Sequence, residues 1–314
     1  MNLKKPNFWD YKRPNIIAYF LYPFALLLQI LNNFNFRKNN YENKIKTICI
    51  GNFYIGGTGK TSLAIKIKKI FDKKNINSCF IKKFYHNQSD EQKLLENHGK
   101  LFLSSKRRDA IKQAEKGNYK IAILDDGLQD KSIDCDLKFV CFNTINWKGN
   151  GLTIPAGPLR ENIKELKNYD HVFLNGNLEN LEIIKDEIFK INSKINIHLG
   201  KYEPLNIDKF NKSEKYLVFS GIGNHQTFVT MLKSYGLNII KHIEFADHYK
   251  FTSNDINKII IEANNLNSKI ITTEKDYLRL ENTSSEEINF IESELRIIDE
   301  NKLIETIFKQ NEIH

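Results

Sequence analysis

The run Lys46-Thr47-Ile48-Cys49-Ile50, then Gly51-Asn52-Phe53-Tyr54-Ile55, then Gly56-Gly57-Thr58-Gly59-Lys60-Thr61, decides how this chain is read. An apolar strand pattern leads into a glycine turn. The turn leads into a helical pattern with Leu63, Ile67 and Ile70 at three-to-four spacing. That order suits a phosphate-binding loop. Glycines let successive backbone N–H groups face inward on phosphate oxygens, and a helix N-terminus adds a favourable dipole. Lys60 is expected to neutralise β- and γ-phosphates, and the Thr61 hydroxyl to ligate Mg²⁺. The strict motif has glycine at position 54, where this chain has Tyr54. The competing reading is a plain helix-capping turn, and the strand–turn–helix context favours phosphate. Gly56, Gly57, Thr58, Gly59, Lys60 and Thr61 are therefore the first cofactor-binding candidates.

Working outward, strand and helix patterns alternate. Residues 78–82, 100–104, 119–124, 137–142 and 171–174 read as strands, and residues 60–73, 90–97 and 107–116 as helices. Such alternation favours a parallel sheet covered on both faces. The strand over residues 119–124 runs straight into Asp125 and Asp126. Carboxylates at the carboxyl end of a buried strand, in one sheet with a phosphate loop, are placed to hold Mg²⁺ or its waters. Guanine recognition uses an Asn/Thr-Lys-x-Asp tetrad. Lys275 and Asp276 are adjacent here, so ATP is the expected nucleotide.

A second block begins near Lys215. Strand patterns fall at 216–219, 238–243 and 269–272, and helix patterns at 226–232 and 253–263, with Ser253 as the expected N-cap. The expected fold class is α/β: a P-loop NTPase-like, doubly wound, mostly parallel sheet, a second, smaller α/β domain and an apolar N-terminal helix. The expected divisions are 1–36 for that helix, 37–205 for the P-loop core and 206–314 for the smaller domain, with a linker near 200–214.

With 47 Lys+Arg against 38 Asp+Glu the formal net charge is +9, but the lysines are scattered and stripe no segment. A nucleic-acid partner is therefore not expected. Cys49, Cys79, Cys135 and Cys141 form no CxxC pair, which leaves a zinc ribbon or a thioredoxin-type site without support.

Residues 15–36 carry no charge, and residues 16–31 are apolar apart from Pro23 and Gln29. As a helix, these residues span about 24 Å, less than the ~30 Å hydrocarbon core. Three readings compete: a helix seated at a membrane, a helix buried in a soluble core and a cleaved signal. The first is favoured. Trp9, Tyr11, Tyr19 and Tyr22 suit an interface, Lys4, Lys5, Lys12, Arg13 and Arg37 suit anionic headgroups, and no small-x-small cleavage site follows.

Several further stretches, in order along the chain, resemble the tetraacyldisaccharide 4'-kinase family. They are Asp90-Glu91, Asp125-Asp126-Gly127-Leu128-Gln129, Pro155-Ala156-Gly157-Pro158-Leu159-Arg160-Glu161, Ser220-Gly221-Ile222-Gly223-Asn224, Asp247-His248 and Thr273-Glu274-Lys275-Asp276. The run over 155–161 is the most specific. There are departures. Lys82, Lys83, Phe84 and Tyr85 stand where the family has Ser-Arg-Gly-Tyr, and Asp130 replaces the His that ends the Asp-Asp-Gly box. They read as drift in an AT-rich lineage.

The resemblance implies ATP and Mg²⁺ as cofactors and an acylated disaccharide 1-phosphate as lipid substrate. It implies phosphorylation of the 4'-hydroxyl in lipid A biosynthesis, at the cytoplasmic face of the bacterial inner membrane, by a peripheral or monotopic protein held through residues 1–36. A monomer is expected. It also implies a catalytic group of Asp90, His248 and Lys60. A histidine takes the hydroxyl proton, and a carboxylate orients its ring and stabilises the cation. Tyr85, Arg108, Gln129 and Arg160 join the cofactor-binding candidates. Glu161 joins Thr61, Asp125 and Asp126 as metal candidates. The rival readings are a membrane-associated P-loop ATPase without a lipid acceptor and a nucleotide-binding scaffold.

Overall fold

A computed structural model of the chain describes residues 5–34, 43–85, 89–130, 132–247, 249–280 and 287–311. A short 3-10 turn (Asn7–Asp10) precedes helix α1 (Ile16–Phe34). There follow β1 (Lys46–Gly51), α2 (Lys60–Lys73), β2 (Ser78–Lys83), α3 (Ser89–His98), β3 (Leu101–Ser104), α4 (Arg107–Lys116), β4 (Ile121–Asp125) and β5 (Leu137–Asn143). Then come β6 (His171–Asn175), α5 (Leu181–Ile191), β7 (Asn196–Pro204), β8 (Lys215–Ser220), α6 (His225–Ser234), β9 (Asn238–Glu244) and α7 (Ser253–Asn265). The chain closes with β10 (Lys269–Thr273), the short α8 (Glu274–Tyr277), β11 (Ile288–Ile291), β12 (Ser293–Ile297) and α9 (Glu300–Asn311).

Eight strands form one sheet in the order β12-β7-β6-β5-β1-β4-β2-β3. From β3 to β7 every neighbouring pair is parallel. Burial explains the composition of the central strands. All five residues of β4 are buried, so both of its faces are apolar and it reads as a continuous run. Helix α2 turns Leu63, Ala64, Ile67, Ile70 and Phe71 inward. The chain passes from β1 to β2 and β3, returns to β4 beside β1, then crosses to β5 on the other side. Strand order thus reverses around β1, and at such a point the carboxyl ends of the strands open a crevice for a ligand. The doubly wound, mostly parallel sheet is the class expected above.

The chain divides into two compact units. One comprises Pro6–Asn175, Asn180–Gly200 and Ile297–His314, and the other chiefly Lys201–Arg296 with Gly176–Glu179. Helix α9 belongs to the first unit, where Phe308 meets Phe71 at 5.9 Å between ring centroids and Glu300 pairs with Lys66 at 3.2 Å. The segment from 206 to the C-terminus is therefore not one piece, and β7 occupies the start of the expected linker.

In the second unit four parallel strands run β11-β10-β8-β9. Alternation along β8 makes two apolar layers. Tyr216 and Val218 pack with Phe228 and Leu232 of α6, while Leu217 and Phe219 pack with Ile256 and Ile259 of α7. The cap of α7 is Thr252 rather than Ser253: its Oγ1 accepts from Asp255 N at 3.2 Å in a capping box.

Helix α1 has two small faces turned inward, Ala18 and Ala25, both fully buried, and Gln29 Nε2 donates to Thr153 Oγ1. Most of its large side chains face outward: Ile16 is 87% exposed, Phe20 74%, and Phe24, Leu27, Ile30 and Leu31 about half. That pattern is opposite to a helix buried in a soluble core. Among the described residues no helix is long and apolar enough to cross a membrane.

Inside the second unit His225 is buried, with Ser220 Oγ 2.7 Å from its Nδ1 and His242 Nδ1 3.0 Å from its Nε2. Burial, reinforced by His242, pushes its pKa down from 6.5 to about 4. The unfolded chain therefore takes up this proton first as pH falls. Stability is expected to be level above pH ~6.5 and to decline toward pH ~4, with His225 contributing up to about 3 kcal/mol of the loss. Denaturant titrations across this range will measure the slope, and His225→Gln should flatten it. An unchanged slope in the variant would place the acid response elsewhere.

Candidate phosphate and metal site

Ile50 and Asp125 are register partners, so the loop leaving β1 and the carboxylate ending β4 emerge side by side. Gly56 (φ 114°) and Gly59 (φ 77°) take left-handed backbone, and Gly59 caps α2. Position 54 has no such demand. Tyr54 lies outside the left-handed region, is buried, bridges Leu159 and donates its hydroxyl to Asp10, so a glycine there is unnecessary. Asn175 Nδ2 donates to Thr58 O at 2.6 Å, which holds the loop from the end of β6.

The Thr61 hydroxyl donates to Asp125 Oδ2 at 3.3 Å. Asp125 Oδ1, Thr58 Oγ1 and Asn52 Oδ1 are buried polar atoms without a hydrogen-bond partner. Leaving such atoms unpaired is costly, so a cluster of them beside a glycine loop marks a place built for a bound group. Among the described residues no three His, Cys, Asp or Glu side chains converge as a ready cage. Mg²⁺ needs none. It binds through one or two protein oxygens together with phosphate oxygens and water. Thr61 with the spare Asp125 oxygen meets that requirement.

Asp126 has left-handed backbone (φ 56°), which a short polar side chain tolerates. Its carboxylate accepts from Arg160 Nη1 at 2.8 Å and faces Lys60 Nζ at 3.8 Å, and its carbonyl accepts from Arg107 Nη2. Burial would raise its pKa, yet Lys60, Arg160, Lys82 and Arg107 together hold it below the ordinary carboxylate value. Gln129 extends the network: its Nε2 donates to Glu161 Oε1 at 2.9 Å and to Asn52 O at 3.0 Å, and its Oε1 accepts from Arg160 Nη1 at 3.3 Å. Tyr169 is also tied to Glu161. Burial and this carboxylate push the Tyr169 phenol well above its usual range.

The structure thus brings Lys60, Thr61, Asp125, Asp126, Gln129, Arg160 and Glu161 into one connected network. Arg108 instead donates to Ser132 O at 3.2 Å, while its neighbour Arg107, buried, meets the Asp126 carbonyl and the Asp130 carboxylate at 3.2 Å. That contact accounts for Asp130: burial disfavours its charge, but Ser132 and Arg107 lower its pKa. Tyr85 is exposed beneath Lys83 Nζ, 5.4 Å from its ring centroid. Helix α3 carries Asp90 in its first turn; the Asp90 side chain and His248 lie outside the described residues.

Sequence reasoning missed three members of this network: Lys82, Glu91 as its partner, and Arg107. Lys82 Nζ lies 2.6 Å from both Asp125 Oδ2 and Glu91 Oε2. Burial opposes its charge, but the two carboxylates outweigh burial and hold its pKa above the ordinary lysine value. A lysine near the end of an apolar strand pattern was the available signal.

The chain matches the family model "Tetraacyldisaccharide-1-P 4'-kinase" over residues 17–312. It is 56% identical over 312 residues to the tetraacyldisaccharide 4'-kinase of Pelagibacter ubique, covering 99% of each chain. It is 32% identical to the enzyme of the same name from Rickettsia bellii, covering 99% of this chain and 100% of that one. Among solved structures it is similar in fold to the "apo" form of LpxK from Aquifex aeolicus in complex with ATP. The TM-score is 0.61, at 22% identity, with 93% of this chain and 96% of that one covered.

Gly157 shapes the turn that delivers Arg160. A Cβ there would stand 2.2 Å from Asn150 Oδ1 and 2.3 Å from Leu152 O, and the same turn is bonded to the loop through Arg160 N→Phe53 O at 2.6 Å and Ile55 N→Pro158 O at 2.9 Å. Gly157→Ala is expected to destabilise the chain by about 1–3 kcal/mol, because the backbone must move. Thermal unfolding measures this, and a midpoint equal to that of the parent protein would count against the tight turn.

Proposed function

Since this chain belongs to the tetraacyldisaccharide-1-P 4'-kinase family, we propose that it transfers the γ-phosphoryl of ATP to the 4'-hydroxyl of a tetraacylated glucosamine disaccharide 1-phosphate in lipid A biosynthesis. The observation that carries this reading is the glycine loop over residues 56–61 beside Asp125, inside a match that spans residues 17–312. An ATPase without a lipid acceptor has no comparable support.

Phosphoryl transfer places little covalent demand on a protein. It needs alignment, and positive charge around the transferring oxygens. The backbone N–H groups of 56–61 and the start of α2 cradle the triphosphate, and Lys60 supplies charge to its terminal phosphates. Arg160, placed by the turn over 155–158 and oriented by Gln129, adds a second cation on the same side of Asp126. Thr61 and Asp125 would hold Mg²⁺, which neutralises charge on the phosphate oxygens; Asp126 and Glu161 orient the surrounding groups. Asp90 and His248 keep the roles that the resemblance assigns, a histidine taking the hydroxyl proton and a carboxylate stabilising the resulting cation.

The lipid acceptor requires access to a bilayer. The outward apolar side chains of α1 support a helix lying in an interface, at the cytoplasmic face of the inner membrane where ATP is present. The protein is proposed to act there as a peripheral monomer.

Purified protein given ATP·Mg²⁺ and the disaccharide monophosphate lipid should yield a lipid heavier by one phosphate. ATP consumed without that product would reject the kinase reading. Lys60→Ala should lower turnover by about 10²-fold or more, the scale of removing one charge-stabilising group, and near-parental turnover would remove Lys60 from the site. The triple change Phe20→Ser, Phe24→Ser and Leu27→Ser should weaken binding to anionic vesicles by at least about ten-fold, since each side chain is worth 1–2 kcal/mol or more when buried. Undiminished sedimentation with vesicles would exclude α1 as the anchor.

A further inference from the structure

Lys82 is a residue of this network to which the reading above gives no task. It is the penultimate residue of β2, next to β4, where Ile81 and Leu124 are register partners. Its side chain is 2% exposed and that of Asp125 0%. Its Nζ sits 2.6 Å from Asp125 Oδ2, the same oxygen that Thr61 reaches at 3.3 Å. The second carboxylate on the ammonium, Glu91 Oε2 at 2.6 Å, comes from the first turns of α3.

The consequence is electrostatic. Asp125 is the carboxylate best placed for a divalent cation, and a lysine already holds it. A metal ion arriving alone would meet an ammonium that has no water to retreat to, and like charges at such short range repel strongly in a buried site. Asp126 offers no substitute, because Lys60 and Arg160 already face it. A triphosphate changes the balance. Its oxygens give the lysine a new anionic partner, while Glu91 keeps hold of it.

We propose that Lys82 is the resident cation of this site: it neutralises Asp125 until nucleotide arrives, so that Mg²⁺ enters only together with the triphosphate. The proposal rests on the phosphate-site reading above. Lys82 is accordingly a positioning residue that sets the order of binding.

The test is binding, read without turnover. Thermal unfolding of the full chain is followed with EDTA, with millimolar Mg²⁺, with a non-hydrolysable ATP analogue, and with both. The parent protein should respond to Mg²⁺ plus nucleotide and hardly to Mg²⁺ alone. Lys82→Met should melt lower in EDTA, because Asp125 loses its partner. It should then gain a rise with Mg²⁺ alone, corresponding to at least about ten-fold tighter metal binding. Lys82→Arg, which keeps the charge, should restore the parental indifference to Mg²⁺, an outcome that mere loss of packing would not produce. Lys82→Ser is the second variant if the methionine form does not fold. A parent that binds Mg²⁺ alone as firmly as with nucleotide overturns the proposal without any variant. So does a Met or Ser variant with the parental metal response. If the parent fails to bind nucleotide with Mg²⁺ at all, it is the phosphate-site reading that falls.

Discussion

A carboxylate with no exposed surface ends the central strand β4, and the arrangement around the glycine loop follows from keeping that charge paired. Stripping water from an ion costs several kcal/mol unless an opposite charge and hydrogen bonds replace it. Asp125 receives both from two directions, a hydroxyl from the start of α2 and an ammonium from the end of β2. The parallel register that aligns Ile50 with Asp125 and Ile81 with Leu124 makes this possible, because it brings three chain segments to one edge of the sheet. Remove the register and the same residues are three unrelated side chains.

Seen as a charge balance, the twin aspartates divide the work. Asp125 pairs with Lys82, and Asp126 with Arg160 and, at longer range, Lys60. The cations that a triphosphate would need are thus already present and already screened by carboxylates. Such a site does not carry a bare positive cavity, which would be self-repelling, and it can exchange one set of anionic partners for another. Gln129 and Glu161 anchor this exchange to the turn over 155–158 through hydrogen bonds rather than bulk.

The apolar helix poses a different constraint. Ala18 and Ala25 are buried, Leu21 and Gln29 are half-buried, and most of the larger side chains point out. Water alone gives no reason to expose so many leucines and phenylalanines along one helix, whereas the proposed seat at a lipid surface would cover them. Trp9, donating to Pro155 O at 3.1 Å, ties the segment preceding this helix to the turn that presents Arg160.

Local pattern was enough for much of this molecule. The strand–glycine turn–helix run, the strand ending in Asp125, the alternation of elements and the uncharged N-terminal segment are properties of neighbouring residues, and their periodicity is legible wherever burial imposes it. Tertiary placement decided the rest. Arg107 rather than its neighbour Arg108 faces the aspartates because one position along a helix turns a side chain by about 100°. Thr252 rather than Ser253 caps α7 because backbone geometry, one residue apart, selects which hydroxyl reaches the free N–H. Helix α9 packs on Phe71 although it lies more than 200 residues away in the chain, and no local signal encodes such a return. Lys82 is the clearest case. As a letter it is a departure from a motif, and only the side-by-side pairing of β2 with β4 shows that its charge answers the buried carboxylate of Asp125.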